Sequence, residues 1–199
     1  MKVYILVALF FIVQPIQMTT QPLPIDTITL GSGCFWCTEA VFQQLKGVIK
    51  TESGYAGGKL SKPSYWEVST GLTGHAEVVR ISYDPEQISL EQILEVFWKT
   101  HDPTTLNRQG ADVGTQYRSV IFYHNQQQKE TAQRIKQALE DEEIWDKPIV
   151  TEITALKSFY KAEDTHQNFY NTNPAHGYCQ FVIVPKLDKF RKLFSELSR

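Results

Sequence analysis

One cysteine lies where a predicted strand meets a predicted helix, and this junction constrains the chain more than any other feature. Alternating apolar residues predict a strand over residues 26–30, and helical periodicity predicts a helix over residues 34–45. Between them the run Gly33-Cys34-Phe35-Trp36-Cys37 places Cys34 at or just before the helix N-terminus. The unpaired backbone N–H groups and the dipole of a helix stabilise a thiolate at that position. We therefore expect a lowered pKa for Cys34, which makes it the lead candidate for a catalytic nucleophile.

The chain has three cysteines among 199 residues, which is too few for a disulfide scaffold. A c-type haem site is excluded because Thr38, and not histidine, follows the Cys-x-x-Cys pair of Cys34 and Cys37. The other interpretations are a thioredoxin-like dithiol, a thiol that reduces an oxidised small group, a buried inert cysteine, and a structural zinc site made of Cys34, Cys37, His176 and Cys179. Two bulky aromatic residues between the first two cysteines argue against zinc.

The first twenty residues have the pattern of a secretory signal peptide. Lys2 is followed by an apolar run over residues 3–13 and by Pro15, and this run is shorter than the roughly 20 apolar residues of a spanning helix. We expect residues 1–20 to be a signal peptide or an uncleaved membrane tether, so that the protein is exported (periplasmic or secreted) or tethered to the membrane. A buried N-terminal element is the alternative. Residues 21–199 then form a single domain by their length.

The charge pattern excludes two classes of partner. Lys plus Arg number 20 and Asp plus Glu number 22, which gives a formal net charge of −2. Neither sign is concentrated enough to indicate binding to nucleic acid or to an anionic membrane surface.

Strand and helix patterns alternate irregularly along the rest of the chain. Further strands are predicted at 49–54, 76–83, 119–123, 149–154 and 180–184, and further helices at 89–100, 126–143 and 185–197. This mixture lacks a regular βαβ rhythm and predicts an α+β fold, with a mixed sheet and helices packed on it. Two long irregular connections, residues 55–74 and 101–116, are rich in aromatic and polar side chains and are therefore candidate functional loops.

A series of motifs occurs in order along the chain: Gly33-Cys34-Phe35-Trp36, Gly54-Tyr55-Ala56-Gly57-Gly58, Pro63-Ser64-Tyr65, Gly74-His75-Ala76-Glu77, Tyr83-Asp84-Pro85, His101-Asp102-Pro103-Thr104, the run 108–119, His166-Gln167 and Tyr178-Cys179. With these motifs the sequence resembles the A-type peptide methionine sulfoxide reductases over residues 27–194. The resemblance implies a two-layer α/β plait-like sandwich and reduction of S-epimer methionine sulfoxide in proteins, peptides or the free amino acid. It also implies no bound cofactor or metal, oxidised proteins or peptides as substrates, and thioredoxin or a similar dithiol as external reductant. We expect a monomer.

The matched residues suit the chemistry that a sulfoxide requires. A sulfoxide sulfur is electrophilic only when its oxygen is protonated or strongly hydrogen-bonded, so the reaction needs a thiolate, an acid and donors to that oxygen. By the resemblance, Cys34 is the thiolate, which is left as a sulfenic acid, and Glu77 is the acid. Glu77 can hold a proton near neutral pH only if burial raises its pKa. Its neighbours Ala76, Val78 and Val79 predict an apolar strand around it.

Five further residues match positions that contact the substrate. Tyr65 and Tyr117 match phenol donors to the sulfoxide oxygen, and Asp112 matches a carboxylate that orients the site. Phe35 and Trp36 match the wall that receives the S-methyl group, where sulfur–aromatic contacts contribute about 0.3–1.5 kcal/mol. Two consecutive large aromatic residues of a helix cannot both face one core, which favours a place at the lip of a pocket.

The resemblance assigns Cys179 as the resolving cysteine, which converts the sulfenic acid into a disulfide. It lies in a segment rich in Asn, Gly and Pro that we expect to be mobile. Most of the family has glycine where this chain has Cys37, so Cys37 is a departure and a second candidate resolver or relay. We expect a Cys34–Cys179 disulfide first and a Cys37-containing disulfide by exchange. The rival functions are a Cys-x-x-Cys oxidoreductase, which would not need Glu77, and a Cys3His zinc-stabilised binding module.

Overall fold

The computed structural model of the chain describes residues 24–199, so the predicted signal peptide or tether lies outside the described residues. Within this range no helix has the length and apolar character needed to cross a membrane. The elements, in chain order, are β1 (Asp26–Ser32), α1 (Phe35–Phe42), β2 (Val48–Ala56), α2 (Tyr65–Ser69), β3 (Ala76–Tyr83), α3 (Leu90–Thr100), β4 (Arg108–Gln109), β5 (Asp112–Val113), β6 (Ser119–Tyr123), α4 (Gln126–Asp141), β7 (Glu152–Ala155), β8 (Phe159–Lys161), α5 (Phe169–Thr172) and α6 (Val184–Leu193).

A six-stranded mixed sheet in the order β7-β6-β1-β3-β2-β8 organises the fold. Its neighbouring strands are antiparallel except for β6 and β7, which run parallel. The short strands β4 and β5 pair as a separate hairpin. The predicted α+β class, with helices packed on a mixed sheet, is confirmed.

The alternation of side chains along β3 positions an acid beside α1. Val79 and Ile81 pack into the large core with the helices, whereas Ala76 and Val78 belong to a smaller apolar cluster. Successive side chains of a strand point to opposite faces, so Glu77 shares the face of Val79 and Ile81. Helix α1 packs against β2 and β3 on that face.

The strand predicted at 180–184 is wrong. The segment Cys179–Ile183 is one turn of π-helix that continues directly into α6. Its β-branched residues indicate a strand, but Ile183, Leu187 and Phe190 are all buried at helical spacing. Pro185 directly follows the π-helical turn, in the first turn of α6. Burial of the helical face therefore overrides the local strand preference.

Boundaries and short elements also differ from the sequence patterns. The strand predicted at 149–154 runs instead from Glu152 to Ala155, and the helix predicted at 34–45 begins at Phe35 and ends at Phe42. The sequence patterns do not predict α2, α5, β4, β5 or β8. Each of these has five residues or fewer, which is too short for a periodic pattern to emerge.

Candidate active site

Cys34 lies in the turn from β1 to α1, where the sequence predicts it. It occupies the N-cap position directly before the first helical residue, Phe35. The turn depends on Gly33, whose φ of +94° is a left-handed conformation that side chains disfavour. A Cβ at that glycine would also come within 2.7 Å of the Gln109 side chain. Cys34 is 8% exposed, so it packs against the core while bordering the surface.

Glu77 is buried against the first turn of α1. The residue is 2% exposed, and its Oε2 accepts a hydrogen bond of 3.0 Å from the backbone N–H of Phe35. Burial raises the pKa of Glu77 to about 8, and the charge of Asp112 adds to the rise, whereas the hydrogen bond from Phe35 opposes it. The carboxyl group is therefore mostly protonated at neutral pH. The burial and the raised pKa that the neighbouring residues predict are both confirmed.

The expected low pKa of Cys34 is wrong for the reduced protein. Burial raises the pKa of the Cys34 thiol, and its hydrogen bond with Cys37 and the charge of Glu77 raise it further. The N–H of Phe35, the first donor of the helix, donates to Glu77. The pKa of Cys37 is instead lowered to about 7, chiefly because it receives the hydrogen bond of Cys34 and also because of the charge of Lys186. In the resting pair the negative charge therefore resides mainly on Cys37.

Phe35 and Trp36 form one aromatic wall together with His166 and Phe169. Phe35 is 1% exposed, and its ring lies 5.2 Å from that of His166. The half-buried Trp36 stacks on Phe169 with ring centroids 3.6 Å apart, and its Nε1 donates to His166 Nδ1 at 3.1 Å. Only Trp36 therefore stands at the lip of the pocket, whereas Phe35 belongs to the core behind it.

The predicted phenol donors Tyr65 and Tyr117 are both half-buried beside this wall. Burial raises the pKa of each, and the charges of Glu77 and Cys34 contribute to both rises. That influence places both hydroxyl groups within electrostatic range of the thiol and the acid. Both phenols keep their protons at neutral pH and can donate hydrogen bonds. The ring of Tyr65 also lies 4.5 Å from the ring of His166.

Tyr178 is a site residue to which the sequence analysis gave no role. Its hydroxyl donates to Asp112 Oδ2 at 2.7 Å, and the Cys37 sulfur lies 3.7 Å from the same hydroxyl. Tyr178 thus links the predicted orienting carboxylate to the pair of cysteines in α1. The sequence does hold one sign of such a role, because Tyr178 directly precedes Cys179 in a motif that carries the family resemblance.

Cys179 lies at the buried end of the segment that we expect to be mobile. Cys179 is fully buried and begins the π-helical turn that leads into α6. Burial raises the pKa of its thiol, and the charge of Cys37 adds to the rise. All three cysteines are therefore reduced and buried.

Glu163 and Tyr55 form a support behind the pocket that sequence reasoning missed. Glu163 accepts hydrogen bonds from the backbone N–H of Tyr65 at 2.8 Å and from the Tyr55 hydroxyl at 2.9 Å. His166 lies in the same 3₁₀ turn and contacts three of the aromatic rings. The hydrogen bond between Tyr55 and Glu163 joins residues that are about a hundred positions apart in the sequence, so no local pattern indicates it.

The alternative of a zinc module has no support in the part of the chain that the structure describes. No group of three or more His, Cys, Asp or Glu side chains there could hold a metal ion. His176, the proposed imidazole ligand, instead accepts a hydrogen bond from the backbone N–H of Tyr178 through Nδ1, at 3.2 Å.

Comparison with known proteins agrees with this geometry. The sequence model of the family described as "Peptide methionine sulfoxide reductase" matches residues 26–198. A relative from Trichodesmium erythraeum, named peptide methionine sulfoxide reductase MsrA, is 55% identical over 172 residues, which are 86% of this chain and 97% of the relative.

Solved structures of a yeast protein have the same fold. Mxr1 from Saccharomyces cerevisiae in reduced form superposes with a TM-score of 0.72 at 36% identity, covering 82% of this chain and 94% of Mxr1. The structure of Mxr1 in complex with Trx2 superposes with a TM-score of 0.52 at 28% identity, covering 77% of this chain and 91% of that one. With the thiol, the buried acid and the aromatic wall in their places, this chain belongs to the peptide methionine sulfoxide reductase family.

Proposed function

We propose that this enzyme reduces the S-epimer of methionine sulfoxide, in proteins, peptides or the free amino acid, with Cys34 as nucleophile and Glu77 as acid. The single observation that carries the proposal is the Glu77 carboxyl group. It is buried, its pKa is raised to about 8, and it is fixed to the first backbone N–H after Cys34. A protonated carboxyl group beside a cysteine suits transfer of a proton to a sulfoxide oxygen. The choice of epimer rests on the A-type family, since one enzyme serves each epimer.

In the first step the Cys34 sulfur attacks the sulfoxide sulfur while Glu77 donates a proton to its oxygen. The protonated oxygen moves from the substrate sulfur to the Cys34 sulfur, so the sulfur–oxygen bond of the substrate breaks as the one on Cys34 forms. The bond between the two sulfurs then breaks, and methionine leaves. Cys34 retains the oxygen as a sulfenic acid, and the thiol proton restores the proton of Glu77, so atoms and electrons balance. Cys37 supports this step, because its thiolate accepts the hydrogen bond of Cys34 and can relay that thiol proton on its way to Glu77.

The remaining residues hold the substrate. Tyr65 and Tyr117 donate hydrogen bonds to the sulfoxide oxygen, and Asp112 orients the site through Tyr178. Trp36 contacts the S-methyl group, while Phe35 supports it from the core. Donors fixed by a folded scaffold stabilise developing charge without reorganisation, which is the usual source of rate in such sites.

We infer that Cys37 resolves the sulfenic acid before Cys179 does. Its backbone N–H donates to the Cys34 carbonyl at 3.1 Å, and neighbours on a helix at this spacing approach the roughly 4.4–6.8 Å between Cα atoms that a disulfide needs. Attack of the Cys37 thiolate on the sulfenic acid forms the disulfide and expels hydroxide, which takes up a proton and leaves as water. Exchange with Cys179 then requires the π-helical turn Cys179–Ile183 to open.

The disulfide is returned to thiols by thioredoxin or a similar dithiol, which is itself oxidised. The complex of the related Mxr1 with Trx2 supports this choice of partner. For residues 1–20 we propose an export signal or a membrane tether, supported by their short apolar run, with residues 21–199 as the catalytic domain and a monomer as the working unit. The mass of the mature protein purified from its native host tests the cleavage.

Turnover of the two epimers of a methionine sulfoxide peptide, with dithiol present, tests the proposed function. We expect methionine from the S-epimer only, in protein that has been treated with a chelator and shown by metal analysis to hold no zinc. Reduction of protein disulfides without sulfoxide turnover would favour a Cys-x-x-Cys oxidoreductase. Zinc bound in stoichiometric amount, again without turnover, would favour the binding module.

A further inference from the structure

Three large apolar side chains on and near α2 are exposed and have no role in the chemistry described so far. Trp66 is 80% exposed, Leu72 is 89% exposed and Leu60 is 39% exposed. A tryptophan this exposed is unusual in a soluble domain, and tryptophan is enriched where proteins bind partners.

Trp66 is continuous with the substrate site through Tyr65. The two rings meet edge to face with centroids 5.7 Å apart, and Tyr65 in turn contacts His166 of the aromatic wall. Helix α2 holds Trp66 firmly, because Ser64 and Glu67 form a capping box at its start. The rim of the pocket therefore extends outward from Tyr65 onto the indole ring.

A groove of about 480 Å³ lies beside α2, lined by Glu67 of the helix and by Thr70 at its C-cap. Leu60 and Leu72 line it together with Thr70, which lies one helical turn after Trp66. The charged residues at the groove, Lys59 and Glu67, are of opposite sign. An uncharged, apolar chain therefore suits the groove better than a strongly acidic or basic one.

We propose that Trp66 and the groove of Leu60 and Leu72 bind the polypeptide next to the oxidised methionine, with a preference for apolar side chains. The occupant is an extended segment, because alternate side chains of an extended chain recur about every 6.6–7 Å and can reach both the pocket and the indole. Methionines of protein cores have apolar neighbours in sequence, so such segments become substrates when a protein is unfolded. The inference rests on the proposed function and adds a substrate class to it.

The test compares two substrates of the pre-reduced, full-length enzyme. One is N-acetyl methionine S-sulfoxide amide, and the other is a peptide with leucine two positions on either side of the S-sulfoxide. Turnover of the small substrate by the unmodified enzyme tests the proposed function by itself. For Trp66→Ala, the ratio of kcat/KM on the peptide to kcat/KM on the small substrate should fall about 3- to 10-fold, the effect of one lost aromatic contact. This ratio does not depend on the fraction of enzyme that is folded.

Matched variants and peptides define the other outcomes. Trp66→Phe should restore most of the ratio, and Ile144→Ala, which removes another exposed apolar side chain after α4, should leave the ratio as it is. With the peptide, Trp66→Ala should raise KM more than it lowers kcat, because the indole contact is the same in the ground state and the transition state. When aspartates replace the leucines of the peptide, the unmodified enzyme and Trp66→Ala should give the same ratio of kcat/KM. An unchanged ratio in Trp66→Ala, or an equal loss on both substrates, would overturn the proposal.

Discussion

At the scale of single residues, the decisive contact is the hydrogen bond from the Phe35 N–H to Glu77. The start of a helix offers unpaired donors, and the sequence predicts that Cys34 would benefit from them. In the fold one of these donors serves the acid, which lies 42 residues later in the chain. The burial of Glu77 follows from its apolar neighbours, but the pKa of the Cys34 thiol is raised by burial, by Cys37 and by Glu77, and it was therefore predicted with the wrong sign.

Replacement of Glu77 tests the acid directly. Glu77→Gln keeps an acceptor for the Phe35 N–H but cannot give up a proton to the substrate. The single-turnover rate should fall by about 10²–10⁴-fold, as for a lost general acid. The protonated acid is the active form, so the wild-type rate should decline as pH rises through about 8, and it should also decline below about 7, where Cys37 loses its thiolate. Stopped-flow measurement from pH 6 to 9.5 checks both effects, and a near-wild-type rate in the variant would assign the proton to another group.

At the scale of elements, the turn between β1 and α1 fixes the nucleophile. Its left-handed φ and its contact with Gln109 both require glycine at position 33. The sequence indicates the turn, since Gly33 separates a strand pattern from a helical one. It does not indicate that β4, a strand of two residues, packs beside the turn.

Gly33→Ala should therefore lower both stability and activity. Gly110→Ala is the matched control, because Gly110 also has a positive φ of 60° but a Cβ there meets nothing within 4 Å. We expect Gly110→Ala to cost about 1–2 kcal/mol of unfolding free energy from the backbone alone, and Gly33→Ala to cost more, because the contact with Gln109 adds to it. Urea unfolding measures which of the two variants loses more unfolding free energy. Equal losses of unfolding free energy would show that the contact with Gln109 does not add to the cost.

The π-helical turn Cys179–Ile183 carries the third cysteine, whose disulfides we propose to form by exchange. Enzyme quenched soon after one equivalent of methionine sulfoxide should contain a Cys34–Cys37 disulfide, because those two thiols already share a proton. Disulfides that include Cys179 should appear later, and Cys179→Ser should leave the first species unchanged. Peptide mapping by mass spectrometry distinguishes these bonds. A Cys34–Cys179 bond as the first species would restore the order expected from the sequence.

At the scale of the whole molecule, the order of the sheet gathers residues that are distant in sequence. Strand β3 lies between β1 and β2, which places Glu77 beside Cys34, and α6 packs on α1, which places Tyr178 and Cys179 beside Cys37. The mixture of strands and helices predicts the α+β class. The periodic patterns do not predict the strand order, because register and pairing depend on which faces become buried together. The site as a set of residues followed from the family motifs, whereas its support by Glu163 and His166 follows only from the fold.

One measurement tests the central claim most directly: the methionine released by pre-reduced enzyme in a single turnover with no reductant added. The account predicts about one equivalent from the Cys37→Ser/Cys179→Ser double variant, in which Cys34 stops as a sulfenic acid that dimedone can trap. Cys34→Ser, which keeps the other two thiols, should release none. Methionine from the Cys34 variant, or none from a folded double variant, would contradict the assignment of Cys34 as the nucleophile.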